Sequence, residues 1–131
     1  METIFTKIIK GEIPSYKIAE DDRYYAFLDI NPIAPGHTLV VPKHATDYIF
    51  DLEDDILAGM IVFSKKISRA IKIYTGSNRV ALAVIGLEVP HAHIHLVPIN
   101  SESDLDFKKA RASLSEKEFL EISSHISAIL A

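Results

Sequence analysis

Apolar residues along the 131-residue chain recur with two rhythms, one of three to four residues and one of two, and the switches between them mark out its elements. Near the start, Phe5, Ile8 and Ile9 share a helical face behind Thr3, whose hydroxyl suits an N-cap, and Gly11 with Pro14 supplies the stop. Strand-like runs follow at residues 15–20 and 23–29, and Asp21-Asp22 between them suits a tight turn, so the pair predicts a hairpin. Two prolines and a glycine make 31–36 a rigid loop, after which residues 37–41 are rich in β-formers and end at Pro42. Across about 54–74, Ile56, Met60, Phe63, Ile67, Ala70, Ile71 and Tyr74 step by three or four. This spacing predicts the longest helix, stopped near Gly76. Residues 79–85 and 91–97 form the last two strand candidates, joined by a short connection containing Gly86 and Pro90. Ser115-Glu116-Lys117-Glu118 reads as a capping box ahead of Phe119, Ile122, Ile126, Ile129 and Leu130, which predicts a closing helix over about 115–130.

Five strands and these helices imply an α+β fold, a five-stranded antiparallel sheet with one long helix and shorter ones. Hydrophobic residues at 48% and charged residues at 24%, with no low-complexity tract or linker, predict one folded domain over 1–131. The chain has no cysteine, which removes disulfides, thiolate metal sites and thiol catalysis. Net charge is -4 and the 14 basic residues are scattered, so no stripe is available to follow a nucleic-acid backbone. A small anion held by a few N–H groups and imidazoles remains compatible with that balance. Residues 1–4 lack a basic, apolar leader pattern, and no run approaches the roughly 18–20 apolar residues of a membrane span. A cytoplasmic protein without membrane contact is therefore expected.

Three of the six histidines fall in His91-Ala92-His93-Ile94-His95. In a strand, alternate residues face one side, so this run predicts His91, His93 and His95 on one face and Ala92, Ile94 and Leu96 on the other. Three imidazoles in register are costly to bury without partners, which argues against an incidental cluster. Two chemistries fit the pattern. Three imidazoles could hold zinc with a fourth position left for water. Alternatively, a neutral imidazole could attack phosphorus while its neighbours orient it and contact the phosphate.

The run from His91 to Val97 resembles the His-x-His-x-His signature of the histidine triad (HIT) proteins, in particular the HINT branch. Three further blocks resemble that family in order: residues 3–14, the segment Ala26-Phe27-Leu28-Asp29-Ile30-Asn31-Pro32, and the segment from Pro35 to Lys43. The resemblance covers residues 3 to about 98 and leaves the later chain as a C-terminal extension. It implies that His93 is a nucleophile forming a nucleotidyl-histidine intermediate, with His91 and His95 flanking the phosphate and His37 near it. It implies that Asp29 accepts hydrogen bonds from ribose hydroxyls and that Ile4, Phe5, Ile8, Phe27, Leu28 and Ile30 enclose the base, although each of these apolar residues also suits a core.

The substrate class so implied is a nucleoside phosphoramidate or a related purine nucleotide such as AMP, hydrolysed at the α-phosphate without metal or other cofactor. A homodimer with a continuous sheet is implied too. The chain departs from the HINT pattern before the triad, where residues 83–90 replace a longer loop and Glu88 stands near the place of a phosphate-contacting hydroxyl. A carboxylate there would repel phosphate unless protonated, paired or turned away, and could instead assist proton transfer to a leaving group. Two rivals are a three-histidine zinc hydrolase and a nucleotide-binding scaffold with little turnover.

Overall fold

Thr3 opens the first helix through a reciprocal cap with Thr6, and α1 runs Ile4–Ile9 with Phe5 and Ile8 buried, as the spacing predicts. A computed structural model describes residues 2–131. The hairpin follows as β1 (Lys17–Glu20) and β2 (Tyr24–Leu28), its turn closed by Asp21, whose carboxylate accepts the N–H groups of Arg23 and Tyr24. After the proline-rich loop comes β3 (Thr38–Pro42), then the long helix α2 (Asp54–Thr75), which ends where Gly76 takes the left-handed conformation at φ 67°. Two strands, β4 (Arg79–Ala83) and β5 (Ile94–Ile99), precede α3 (Glu116–Leu130), whose start carries the expected Ser115–Glu118 capping box.

All four strand pairings are antiparallel, and the sheet order is β1-β2-β3-β5-β4. Both faces of the middle strands are covered, which explains why every residue of β2 and β3 is buried. On one face Tyr24, Ala26, Leu28, Val40, Ile94 and Leu96 pack under Met60, Ile67 and Ile71 of α2 and Phe119, Ile122 and Ile126 of α3. On the other, Tyr25, Phe27, Leu39 and Val41 pack under Phe5 and Ile8 of α1. Burial of this much apolar surface, at about 25 cal/mol per Å², is the main stabilising force.

Strand ends differ from the sequence expectation. β1 starts at Lys17 rather than residue 15, and β4 stops at Ala83 rather than residue 85. More consequential is β5, which begins at Ile94, so His91 and His93 lie in an extended lead-in and only His95 is within the strand. Pro42, which ends β3, has no N–H for the ladder, and its carbonyl is taken by the His91 ring at 2.8 Å. The Ala92 N–H meanwhile bonds the Thr46 carbonyl at 2.6 Å, outside the sheet. Ala92, Ile94 and Leu96 all join the core on the helix-covered face, as the alternation predicts. No helix among the described residues is long and apolar enough to cross a membrane.

Candidate active site

A cavity of about 440 Å³ opens on the α1 side of the sheet, within the size range of small-ligand sites. Its apolar wall contains Ile4, Phe5, Ile8, Phe27, Leu28, Ile30 and Leu39, and its polar side contains Asp29, Glu88, His93, His95 and Arg111. The structure thus brings together all six apolar residues expected around a base. It also separates them by burial: Phe5, Ile8, Phe27 and Leu28 are packed in the core, while Ile4 is 50% and Ile30 72% exposed. His37 and His91 are fully buried and stand behind the cavity rather than on its surface.

Main-chain partners settle the tautomer of each ring, because a carbonyl only accepts and a backbone N–H only donates. The Ile33 N–H donates to His37 Nδ1 at 3.0 Å, so the neutral His37 ring carries its hydrogen on Nε2. That Nε2–H donates to His95 Nδ1 at 3.0 Å, which leaves His95 with a donor on Nε2. His91 donates from Nε2 to the Pro42 carbonyl, and its Nδ1 accepts from the Thr3 hydroxyl at 2.8 Å. His93 donates from Nδ1 to the His91 carbonyl at 2.8 Å, and its Nε2 lone pair is left free. Phe5 sets its ring edge-on to both His91 and His93, with centroids 5.6 and 5.0 Å apart, so α1 holds the triad from the side as well as through Thr3. The His93 and His95 rings are 4.9 Å apart.

Burial keeps the supporting rings neutral. It lowers the pKa of His37 to about 3, helped by His95 and Arg111, and that of His95 to about 4, helped by His93 and Arg111. Burial also lowers His91, against the opposing pull of the Pro42 carbonyl. Asp29 is pushed up by burial, while the Asn31 N–H on its Oδ1 and the nearby Arg111 cation pull the other way. Its Oδ2 stands 3.5 Å from His37 Nε2. With His37 neutral and its hydrogen directed at His95, this is a weak polar contact rather than an ion pair.

Asp29, His37 and His95 offer atoms within 4.8 Å of one another, the spacing of a metal site. The donor set fits a metal poorly. A cation on His37 Nε2 would displace its hydrogen while Nδ1 is still engaged by a backbone donor, and it would also occupy the nitrogen that serves His95. The three-histidine alternative meets a similar obstacle, since both nitrogens of His91 are already bonded.

Glu88 lines the cavity and its side chain is exposed. Among the lining residues that sequence reasoning did not single out, two come from the C-terminal extension. Phe107 and Arg111 lie in the extension, in a polar stretch with no periodicity to reveal them. Phe107 meets His95 in a T-shaped arrangement with ring centroids 4.9 Å apart, and Arg111 donates to the carbonyls of Asn31 and Phe107 at 2.9 and 3.3 Å.

Residues 10–102 match the model of the HIT domain. Over 134 aligned residues the chain is 40% identical to a HIT-like protein of Borreliella burgdorferi, covering 96% of each. It is 37% identical over 113 residues to an adenosine 5'-monophosphoramidase of Candida albicans, covering 76% of this chain and 72% of that relative. A zinc-bound histidine triad family protein of Mycobacterium smegmatis superimposes with a TM-score of 0.85 at 29% identity, covering 99% of this chain and 94% of that one.

Proposed function

The chain belongs to the HIT domain family, and from that premise we propose that it is a nucleotide hydrolase that opens nucleoside phosphoramidates, or related purine nucleotides, at the α-phosphate through a nucleotidyl-His93 intermediate. The observation that carries this reading is the His93 Nδ1–H bond to the His91 carbonyl, which leaves the Nε2 lone pair toward the cavity. In this reading the base lies against Ile4, Phe5, Ile8, Phe27, Leu28 and Ile30, and Asp29 accepts from the ribose hydroxyls. His93 Nε2 bonds to phosphorus as the phosphorus–nitrogen bond to the leaving amine breaks, and the amine takes its proton from solvent water, a transfer that the Glu88 carboxylate at the cavity assists. The charge gained by the His93 ring is met by the His91 carbonyl, and the His95 Nε2–H donates to a phosphoryl oxygen. Water then attacks phosphorus, releases the nucleoside monophosphate and restores the ring. His91 and His37 touch no substrate here; they hold His93 and His95 in the required tautomers.

We further read the protein as a single domain and a cytoplasmic homodimer. The dimer reading is supported by the sheet edge at β4, where Leu82 in the strand and Val84 and Ile85 just beyond it are 47, 38 and 47% exposed. The test is incubation with adenosine 5'-phosphoramidate, followed by acid-free quench and intact-mass analysis. Wild type should release AMP and show a nucleotidyl adduct, and His93→Ala should do neither. Unchanged turnover in His93→Ala would remove the proposed nucleophile.

A further inference from the structure

A phosphate entering this cavity meets few positive charges. Two carboxylates, Asp29 and Glu88, line it, and burial holds His37 and His95 neutral around neutral pH. Among the described lining residues Arg111 is the only lysine or arginine. Its guanidinium bonds two carbonyl oxygens, which carry no net charge, and no carboxylate of the described residues forms an ion pair with it. Five N–H donors minus the two so used leave three free.

The side chain is held in place rather than waving in solvent. Its guanidinium carbon lies 5.7 Å from the Phe107 ring centre, and the next residue, Ala112, donates its N–H to the Pro32 carbonyl at 2.8 Å. The extension is thereby fastened to the loop that carries Asp29 and Asn31, with Phe107 wedged against His95. Arg111 is also nine residues beyond the last position matched by the HIT domain, so the cation comes from outside the matched segment.

We propose that Arg111 is a substrate-binding residue that donates hydrogen bonds to an anionic phosphate oxygen of the bound nucleotide, making the C-terminal extension part of the phosphate site. The inference rests on the nucleotide reading above. A braced, unneutralised guanidinium beside the reactive imidazoles pays little ordering cost on binding, and it recognises the planar pair of oxygens that a phosphate presents.

Titration calorimetry with AMP and with adenosine separates this role from a structural one. Wild type is compared with Arg111→Gln and Arg111→Lys. Loss of a hydrogen bond to a charged group should weaken AMP roughly 10- to 150-fold in Arg111→Gln, leave adenosine within about threefold, and be partly recovered in Arg111→Lys. Equal weakening of AMP and adenosine would show a brace for the extension and overturn the inference. So would AMP binding indifferent to the substitution. Wild type that binds neither ligand would sink the nucleotide reading and this inference together, whereas AMP binding that ignores Arg111 sinks the inference alone.

Discussion

The Thr3 hydroxyl serves two partners, and Thr3→Val removes both while keeping the size and branching of the side chain. In the folded protein this oxygen accepts the Thr6 N–H at 3.1 Å and donates to His91 Nδ1 at 2.8 Å. Loss of an N-cap costs about 0.5–2 kcal/mol. Leaving the buried Nδ1 without its donor costs about 1–3 kcal/mol more. The two losses share one oxygen and will not add fully, so the expected total is about 1–4 kcal/mol. In a domain of this size that lowers the melting temperature by roughly 4–15 °C. Turnover should fall as well, because the His91 carbonyl that orients His93 belongs to the residue whose ring has lost one of its two anchors. Thermal unfolding followed by circular dichroism, beside phosphoramidate hydrolysis at a temperature where both proteins are folded, measures the two effects. Thr3→Ser keeps the hydroxyl and should stay within about 1 kcal/mol of wild type, as expected for loss of one methyl group. If Val and Ser variants melt together, the hydroxyl does not support His91 and the reasoning is wrong.

Acid should destabilise the protein earlier than carboxylate titration alone predicts. The pKa values of His37 and His95 are depressed to about 3 and 4 from 6.5. Above pH 6.5 neither state binds these protons and the contribution is whole; as pH falls through 6.5 toward 4, the unfolded chain takes up protons that the folded site refuses. The loss should be on the order of 1–2 kcal/mol between pH 6.5 and 5.5, read from urea midpoints, and a flat profile there would contradict the assigned neutrality. Gly59→Ala should also destabilise, since a Cβ at this position of α2 falls on the Tyr24 hydroxyl, which is fixed by its 2.7 Å bond to the Ile56 carbonyl. Overpacking outweighs the better helix propensity of alanine, for a net loss of roughly 1–3 kcal/mol by chemical denaturation. Tyr24→Phe in the same chain should recover part of it, and no recovery would point to another cause.

Helices were legible wherever a cap and an apolar stripe coincided, as at Thr3, Gly76 and Ser115, because those signals are local. Strand ends were less so. Whether β5 includes His91 depends on what the opposite strand offers, and there Pro42 has no N–H and gives its carbonyl to a side chain. The shared side of the triad followed from alternation, but alternation does not say which rings reach a cavity. His91 turns onto Thr3 and Pro42, a choice made by elements 88 and 49 residues away. Phe107 and Arg111 left no mark at all, since neither repeats with a period and both matter only once the extension folds back over the 31–32 loop.

The Ile33 amide, the Pro42 carbonyl and the His91 carbonyl are peptide groups, so they persist through most changes of side chain at their positions. Side chains around the imidazoles can therefore change while the His93 Nε2 lone pair stays turned to the cavity, provided the path of the chain is kept. The aim of that ring is thus set by the trace of the polypeptide.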